Sequence, residues 1–229
     1  MTIAPSRAVI EASPHEIYNV ELMQDLLEAN ARLARDNRAL LDRFSITAID
    51  VMGAVGAGKT TLISLIAEKL KARTAVVLIN GDATASTDVD LIAEHGIPVV
   101  QIVTINACHL DANLMGKALT RIDLAKTGLI LVENIGNLIC PAEFPMGAKG
   151  RVVVISVTEG PYVVKKHPHM FLGATLVVIN KIDLADAMEI RVADLMRDVH
   201  RLKPDTRVIP TSCRTGAGIE EFAAALLDI

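Results

Sequence analysis

The chain has 229 residues, a formal net charge of −4, 51% apolar residues, 3% aromatics, no Trp and three cysteines. That length supports one α/β domain with a full core, alone or with an appendage, and the acidic balance without a basic stripe excludes a large nucleic-acid footprint. The low, odd cysteine count argues against a disulfide framework, no apolar run approaches a membrane span, and residues 1–7 lack an apolar signal region, so a cytoplasmic protein without membrane contact is expected.

Residues 1–44 are expected to form an N-terminal tail and helix, and residues 45–229 an α/β domain with a ligand site. Ser13, Pro14 and Glu16 have the pattern of a helix start: an N-cap, a proline at the first helical position and a capping box. The helix is expected to run to about Phe44. Ile17, Val20, Leu22 or Met23, Leu26, Leu27, Leu33, Leu40, Leu41 and Phe44 supply its apolar stripe. Such a helix either packs on its own domain or docks a partner.

Strand and helix then alternate. Ile46–Met52, Ala75–Asn80, Pro98–Val103, Gly128–Glu133, Arg151–Val157, Ala174–Ile179 and Thr206–Pro210 are aliphatic runs of strand length. Helices are expected over Thr61–Leu70, Asp88–Glu94, Leu110–Asp123, Asp186–Leu202 and Gly218–Asp228. The fold class is α/β, a mostly parallel sheet flanked by helices with a helical extension, and ligands then sit at the carboxyl ends of the strands.

The first strand runs into Gly53, Ala54, Val55, Gly56, Ala57, Gly58, Lys59 and Thr60, with Thr61 opening the next helix. This is G-x-x-x-x-G-K-[ST], a phosphate loop. Backbone N–H groups and a helix N-terminus face the phosphates, Lys59 reaches the outer ones, and Thr60 offers a hydroxyl to Mg²⁺. Asn180-Lys181-Ile182-Asp183 directly follows another strand and is N-K-x-D, the guanine-reading motif of GTPases. Asp183 can accept from the ring N–H and exocyclic amine of guanine, a pair adenine lacks, so GTP and GDP are expected over adenine nucleotides. Lys181 can lie along the base, and Asn180 can tie its loop to the phosphate loop. Ser212 and Cys213, after the last strand, are placed near the base, Cys213 as a small packed residue.

Glu133-Asn134-Ile135-Gly136 fits an E-x-x-G variant of the Mg²⁺-binding D-x-x-G segment, with Glu133 as the acid and the Gly136 N–H facing the γ-phosphate. Asp82, ending the second strand, is a candidate for orienting the attacking water or a Mg²⁺-bound water; the alternative is a helix N-cap. Lys59, Asp82 and Glu133 are the expected catalytic groups, and Thr60, Asp82 and Glu133 the Mg²⁺ set. Asn137 stands where Ras-like enzymes carry Gln, so slow intrinsic turnover is expected.

Cys108, His109 and Cys140 form a second constellation, two thiols and an imidazole suited to Ni²⁺ or Zn²⁺. Three ligands from separated loops leave the coordination open for a second subunit or water; on spacing alone, buried free cysteines are the better reading. His167 and His169 are either extra ligands or surface histidines.

Cys108-His-Leu-Asp-Ala112, Glu133-Asn-Ile-Gly-Asn-Leu-Ile-Cys-Pro-Ala142, Val157-Thr-Glu-Gly160 and Asn180–Asp183 resemble the HypB family of hydrogenase nickel-incorporation GTPases, over residues 14–229. The resemblance implies a SIMIBI-class P-loop NTPase that dimerises face to face with GTP. It implies that Cys108, His109 and Cys140 hold nickel or zinc at the dimer interface. A HypA-like nickel/zinc protein would dock near the N-terminal helix, with the hydrogenase large subunit an indirect partner. The chain lacks the N-terminal C-x-x-C-G-C nickel site or His-rich tract that some relatives carry, and Pro161-Tyr-Val163 stands where many members have acids after Thr158-Glu-Gly160. The expected function is a GTP-hydrolysing nickel metallochaperone. The alternatives are a metal store whose oligomeric state follows nucleotide, or a urease-type nickel GTPase, whose Cys-Pro-His motif is absent.

Overall fold

The computed structural model describes residues 18–81, 96–103, 109–139 and 142–229, with only the backbone described for 18–23. Seven parallel strands form its sheet: β1 (Thr47–Met52), β2 (Val76–Asn80), β3 (Val99–Gln101), β4 (Leu129–Glu133), β5 (Gly150–Ser156), β6 (Leu176–Asn180) and β7 (Arg207–Pro210). Their spatial order is β3-β2-β4-β1-β5-β6-β7. The winding moves outward from β1 on one side and, after β4, outward on the other, so the crevice for a ligand opens at the carboxyl ends of β1 and β4.

The strands are apolar on both faces because helices cover both. Leu129 and Leu131 of β4 point into the layer of α2 (Lys59–Leu70) and α7 (Ile219–Leu227). Ile130 and Val132 point the other way, where α1 (Tyr18–Arg43) and α3 (Ala112–Leu119) cover one half of the sheet. On that face α4 (Val163–Lys166), α5 (Pro168–Leu172) and α6 (Val192–Leu202) cover the other half, around Phe171.

The expected stripe of α1 is displaced. Its inward face is Asn30, Ala34, Asn37 and Leu41, all buried, while Leu26, Leu33 and Phe44 are 54%, 41% and 38% exposed. Polar residues take the inward face because backbone groups meet it. Asn30 accepts from the Ala112 N–H at 2.9 Å and donates to the Pro145 carbonyl at 2.9 Å. Asn37 donates to the carbonyls of Ala112 at 2.7 Å and Met146 at 3.1 Å. Those amides satisfy groups that an apolar face would strand.

All seven expected strands form, with β3 shorter than predicted. α3 begins at Ala112 rather than Leu110, because Asp111 caps it by accepting from the Leu114 N–H at 2.8 Å. α6 begins at Val192, not Asp186; Glu189, at φ 54, breaks the helical path before it. The short helices α4 and α5 were not anticipated; Pro168 opens the second. The Ser13-Pro14-Glu16 start and the Asp88–Glu94 helix lie outside the described residues, as do the side chains of Ile17, Val20, Leu22 and Met23. No helix among the described residues is long and apolar enough to cross a membrane.

The packing of α1 is open to a direct check by urea unfolding. Leu41→Ala should lower stability by about 2–5 kcal/mol, whereas Leu33→Ala should change it by no more than about 0.5 kcal/mol.

Candidate functional site

The chain leaves β1, turns through residues 53–58 and enters α2 at Lys59. The helix starts from Gly58 with no side-chain cap, which leaves its first amides to a ligand. Gly58 is left-handed, at φ 91, and a Cβ there would lie 2.4 Å from Asn180 Nδ2. The Lys59 ammonium is buried and donates to the carbonyls of Gly53 at 3.2 Å and Ala54 at 3.1 Å. A fixed cation inside a turn of backbone amides suits phosphate.

Glu133, the last residue of β4, is 1% exposed. Thr60 donates its hydroxyl to Oε1 at 2.6 Å, and the Asn80 amide donates to Oε2 at 3.1 Å. The strand register places Asn80 and Val51 opposite Glu133 on the two neighbouring strands. A hydroxyl and a carboxylate in contact beside a phosphate loop are hard oxygen donors, and so fit Mg²⁺. Beyond Glu133 the chain returns to the phosphate loop, where the Asn137 N–H donates to the Gly53 carbonyl at 3.1 Å. The Asn137 side-chain oxygen accepts from the Ile139 N–H at 2.9 Å. Asp82 lies outside the described residues.

At the other end of the crevice, Asn180 donates to the Ala57 carbonyl at 2.9 Å and accepts from the Thr211 hydroxyl at 3.1 Å. Lys181, itself left-handed at φ 61, donates to the Gly56 carbonyl at 2.6 Å. Asp183 accepts from the Ser212 hydroxyl at 2.5 Å and from Arg214 Nε at 2.8 Å. The Ser212 hydrogen bond foremost, with the Asp183 backbone N–H and the Arg214 guanidinium adding to it against the cost of burial, holds the Asp183 carboxyl below the usual range. A cavity of about 380 Å³ opens here, lined by Gly58, Thr61, Asn180, Lys181, Asp183 and Cys213. Cys213 is half-buried with its Sγ 3.6 Å from Asn180 Oδ1, and burial pushes its thiol up.

On the opposite side of the Glu133 segment, the His109 ring stacks on Phe144 at 4.1 Å between centroids and 28° between planes. Burial pushes its imidazole below the ordinary value, with Asp111 opposing, which favours the neutral, metal-binding form. Cys108 and Cys140 lie outside the described residues, and among the described residues no three His, Cys, Asp or Glu side chains are grouped to hold a metal. His167 is half-buried and His169 exposed. Both line a cavity of about 290 Å³ with Ile139, Ala142 and Glu143.

Several site residues were missed from the sequence. Arg214 could have been found as a neighbour of Ser212, and Asn80 as the residue before Gly81-Asp82. Glu159 forms a capping box with Ser156 and keeps a buried Oε2 without a hydrogen-bond partner. Burial pushes its carboxyl up, while the Ser156 N–H bond and the charges of Lys59 and Lys181 pull it down. Asp50, in mid-strand, is buried against Arg151 at 3.5 Å and accepts from Asn134 at 3.1 Å; burial pushes its carboxyl up.

A phosphate loop at the end of a central parallel strand, facing a carboxylate on the adjacent strand, defines a P-loop NTPase domain. More narrowly, the chain belongs to the CobW/HypB/UreG family, whose nucleotide-binding domain matches residues 47–210. It is 42% identical over 207 residues to the probable hydrogenase maturation factor HypB of Methanocaldococcus jannaschii, covering 90% of this chain and 94% of that one. The crystal structure of HypB from Archaeoglobus fulgidus superposes with a TM-score of 0.84 at 38% identity, covering 88% of this chain and 98% of that one. HypB from Helicobacter pylori, solved in complex with nickel, superposes at 0.82 with 29% identity, covering 87% of this chain and 94% of that one.

Gly58→Ala tests the loop. The left-handed backbone costs a residue with a Cβ about 1–2 kcal/mol, and the methyl group also meets Asn180. Nucleotide affinity, read by titration with a fluorescent nucleotide, should fall at least about tenfold while the far-ultraviolet dichroism stays that of the parent.

Proposed function

We propose that this chain is a GTPase that controls a nickel site with its nucleotide and serves nickel insertion during hydrogenase maturation. The observation that carries the proposal is the segment from Glu133 to Phe144. It starts on the Thr60 hydroxyl of the phosphate loop and ends stacked on His109. Cys140 lies within it by sequence. The nickel complex of the Helicobacter relative and the maturation-factor relatives support the metal and the pathway.

Guanine is selected by Asp183, whose two oxygens already hold two donors, Ser212 and Arg214. A guanine edge presents the same two-donor pattern and takes Arg214's place; adenine would strand the carboxylate. Lys59 and the first amides of α2 bind and orient the phosphates. Thr60 and Glu133, with Asp82, would hold Mg²⁺, which supplies charge neutralisation on the phosphates. Turnover is slow because Asn137 stands where Ras-like enzymes carry Gln, and its side-chain oxygen accepts from the Ile139 N–H at 2.9 Å.

Cys108, His109 and Cys140 bind nickel, or zinc, as cargo. Two copies meet across their nucleotides, a geometry supported by the exposed apolar Val55 and Ile139 near the phosphate loop. A HypA-like partner docks on α1, whose Leu26 and Leu33 lie exposed, and the metal passes onward to the hydrogenase large subunit. The protein works in the cytoplasm.

The decisive experiment measures solution mass and bound metal with Mg²⁺-GDP and with a non-hydrolysable GTP analogue. Dimers carrying nickel with the analogue support the proposal; a metal-free monomer in both states overturns it. Separately, Asp183→Asn should weaken GTP binding by at least about 100-fold, checked by calorimetry, because the remaining amide cannot accept from both guanine donors.

A further inference from the structure

Asn134 is fully buried immediately after Glu133. Its backbone N–H donates to the Val51 carbonyl at 2.9 Å. Its side-chain Oδ1 accepts from the Leu110 N–H at 2.9 Å and from the Ile135 N–H at 3.0 Å. Its Nδ2 donates to Asp50 Oδ1 at 3.1 Å. One amide therefore joins β1, the segment beyond β4 and the chain entering α3.

The orientation of that amide is fixed by polarity. Asp50 is 2% exposed and its other oxygen lies 3.5 Å from Arg151 Nε, so the carboxylate demands a donor from Asn134. The N–H groups of Leu110 and Ile135 demand an acceptor. An amide meets both demands in one orientation only.

Leu110 follows His109, and each of the two makes a further contact. The Leu110 side chain covers Gly81, where a Cβ would lie 2.7 Å from its Cδ1. Gly81 in turn donates its N–H to the Glu133 carbonyl at 2.9 Å. On the far side the His109 ring stacks on Phe144. The His109–Leu110 pair is thus held at both ends of the segment that begins with Glu133, by Asn134 at one end and Phe144 at the other.

We propose that Asn134 is the positioning residue that carries nucleotide state from Glu133 to His109. The inference rests on the nucleotide-controlled nickel site proposed above and names its transmitting contact. A displacement of Glu133 moves the adjacent Asn134. The buried Leu110 N–H follows its acceptor, since staying behind would leave it unpaired. His109, one peptide away, then shifts relative to the other metal ligands. The coupling is reciprocal: metal that fixes His109 favours one arrangement of Glu133.

The test is nickel titration of the full chain with Mg²⁺-GDP and with a non-hydrolysable Mg²⁺-GTP analogue. It compares the parent, Asn134→Ala, Asn134→Ser and, as a control for destabilisation elsewhere in the core, Val199→Ala in α6. The ratio of the two nickel dissociation constants should collapse to within about twofold of one in the Asn134 variants and persist in Val199→Ala, with nucleotide still bound. Equal weakening in both nucleotide states with the parent ratio retained would mean a merely structural role and overturns the proposal. Should the Asn134 variants not fold, hydrogen exchange on the parent decides. Protection over residues 109–119 should change with nucleotide together with 134–139, and change in 134–139 alone overturns it. A parent ratio of one defeats the proposed function itself, and the exchange measurement still decides whether the contact transmits movement.

Discussion

A carboxylate buried at the end of a central strand must be partnered, and Glu133 organises the crevice through the partners it takes. Thr60 holds one oxygen and Asn80 the other. The first contact fixes the start of α2 against β4; the second fixes the end of β2 against the same strand. Because β4 lies between β1 and β2, these contacts set the relative height of three adjacent strand ends. The loops that leave those ends carry the phosphate loop, Asp82 and the Asn134–Ile139 segment. A small change at Glu133 is therefore felt by every loop at this edge, and by few groups elsewhere in the rigid, close-packed sheet.

The phosphate loop keeps its shape through a division of labour among its backbone groups. Lys59 takes the carbonyls of Gly53 and Ala54, Lys181 takes Gly56, and Asn180 takes Ala57. The Ala57 N–H closes the turn on the Ala54 carbonyl at 3.3 Å, and with the loop carbonyls held by donors the remaining amides can turn to an anion. Two of the donors come from the end of β6, the segment that carries the base-reading Asp183. Phosphate recognition and base recognition are thus built as one unit, and the left-handed Lys181 is the backbone strain that lets its side chain reach across.

The sheet was legible because most of its strands carry near-continuous aliphatic runs bounded by polar or glycine residues, a pattern that needs burial on both faces. Gly53–Thr60 and Asn180–Asp183 were legible for a different reason: their chemistry constrains several adjacent positions at once. The inward face of α1 was not legible. Leu26 and Leu33 stand only a fraction of a turn from Asn30 and Ala34, and nothing local says which stripe turns inward. The choice was made by backbone groups at Ala112, Pro145 and Met146, far away in sequence. Asp50 was hidden for the same reason, since a carboxylate in mid-strand makes sense only beside Arg151 and Asn134.

What the sequence concealed most consistently was the use of asparagine. Asn30, Asn37, Asn80, Asn134 and Asn180 are all buried, and each bridges elements that no local pattern connects. Asparagine ordinarily signals turns and caps, because its short amide satisfies nearby backbone. Buried between layers, the same group offers a donor and an acceptor without a net charge. That neutrality matters around a triphosphate site, where formal charge changes when phosphate is released. An ion pair in the same place would strengthen or weaken with every such change, whereas a neutral amide keeps its partners. Among the described residues, charge at the crevice includes Lys59, Lys181, Glu159 and Arg214, and the carboxylates of Glu133, Asp183 and Asp50 are each contacted by a donor from another element. The amides keep neighbouring elements tied together whatever is bound, and the carboxylates are left as the groups that register it, Glu133 passing its displacement to Leu110 through Asn134.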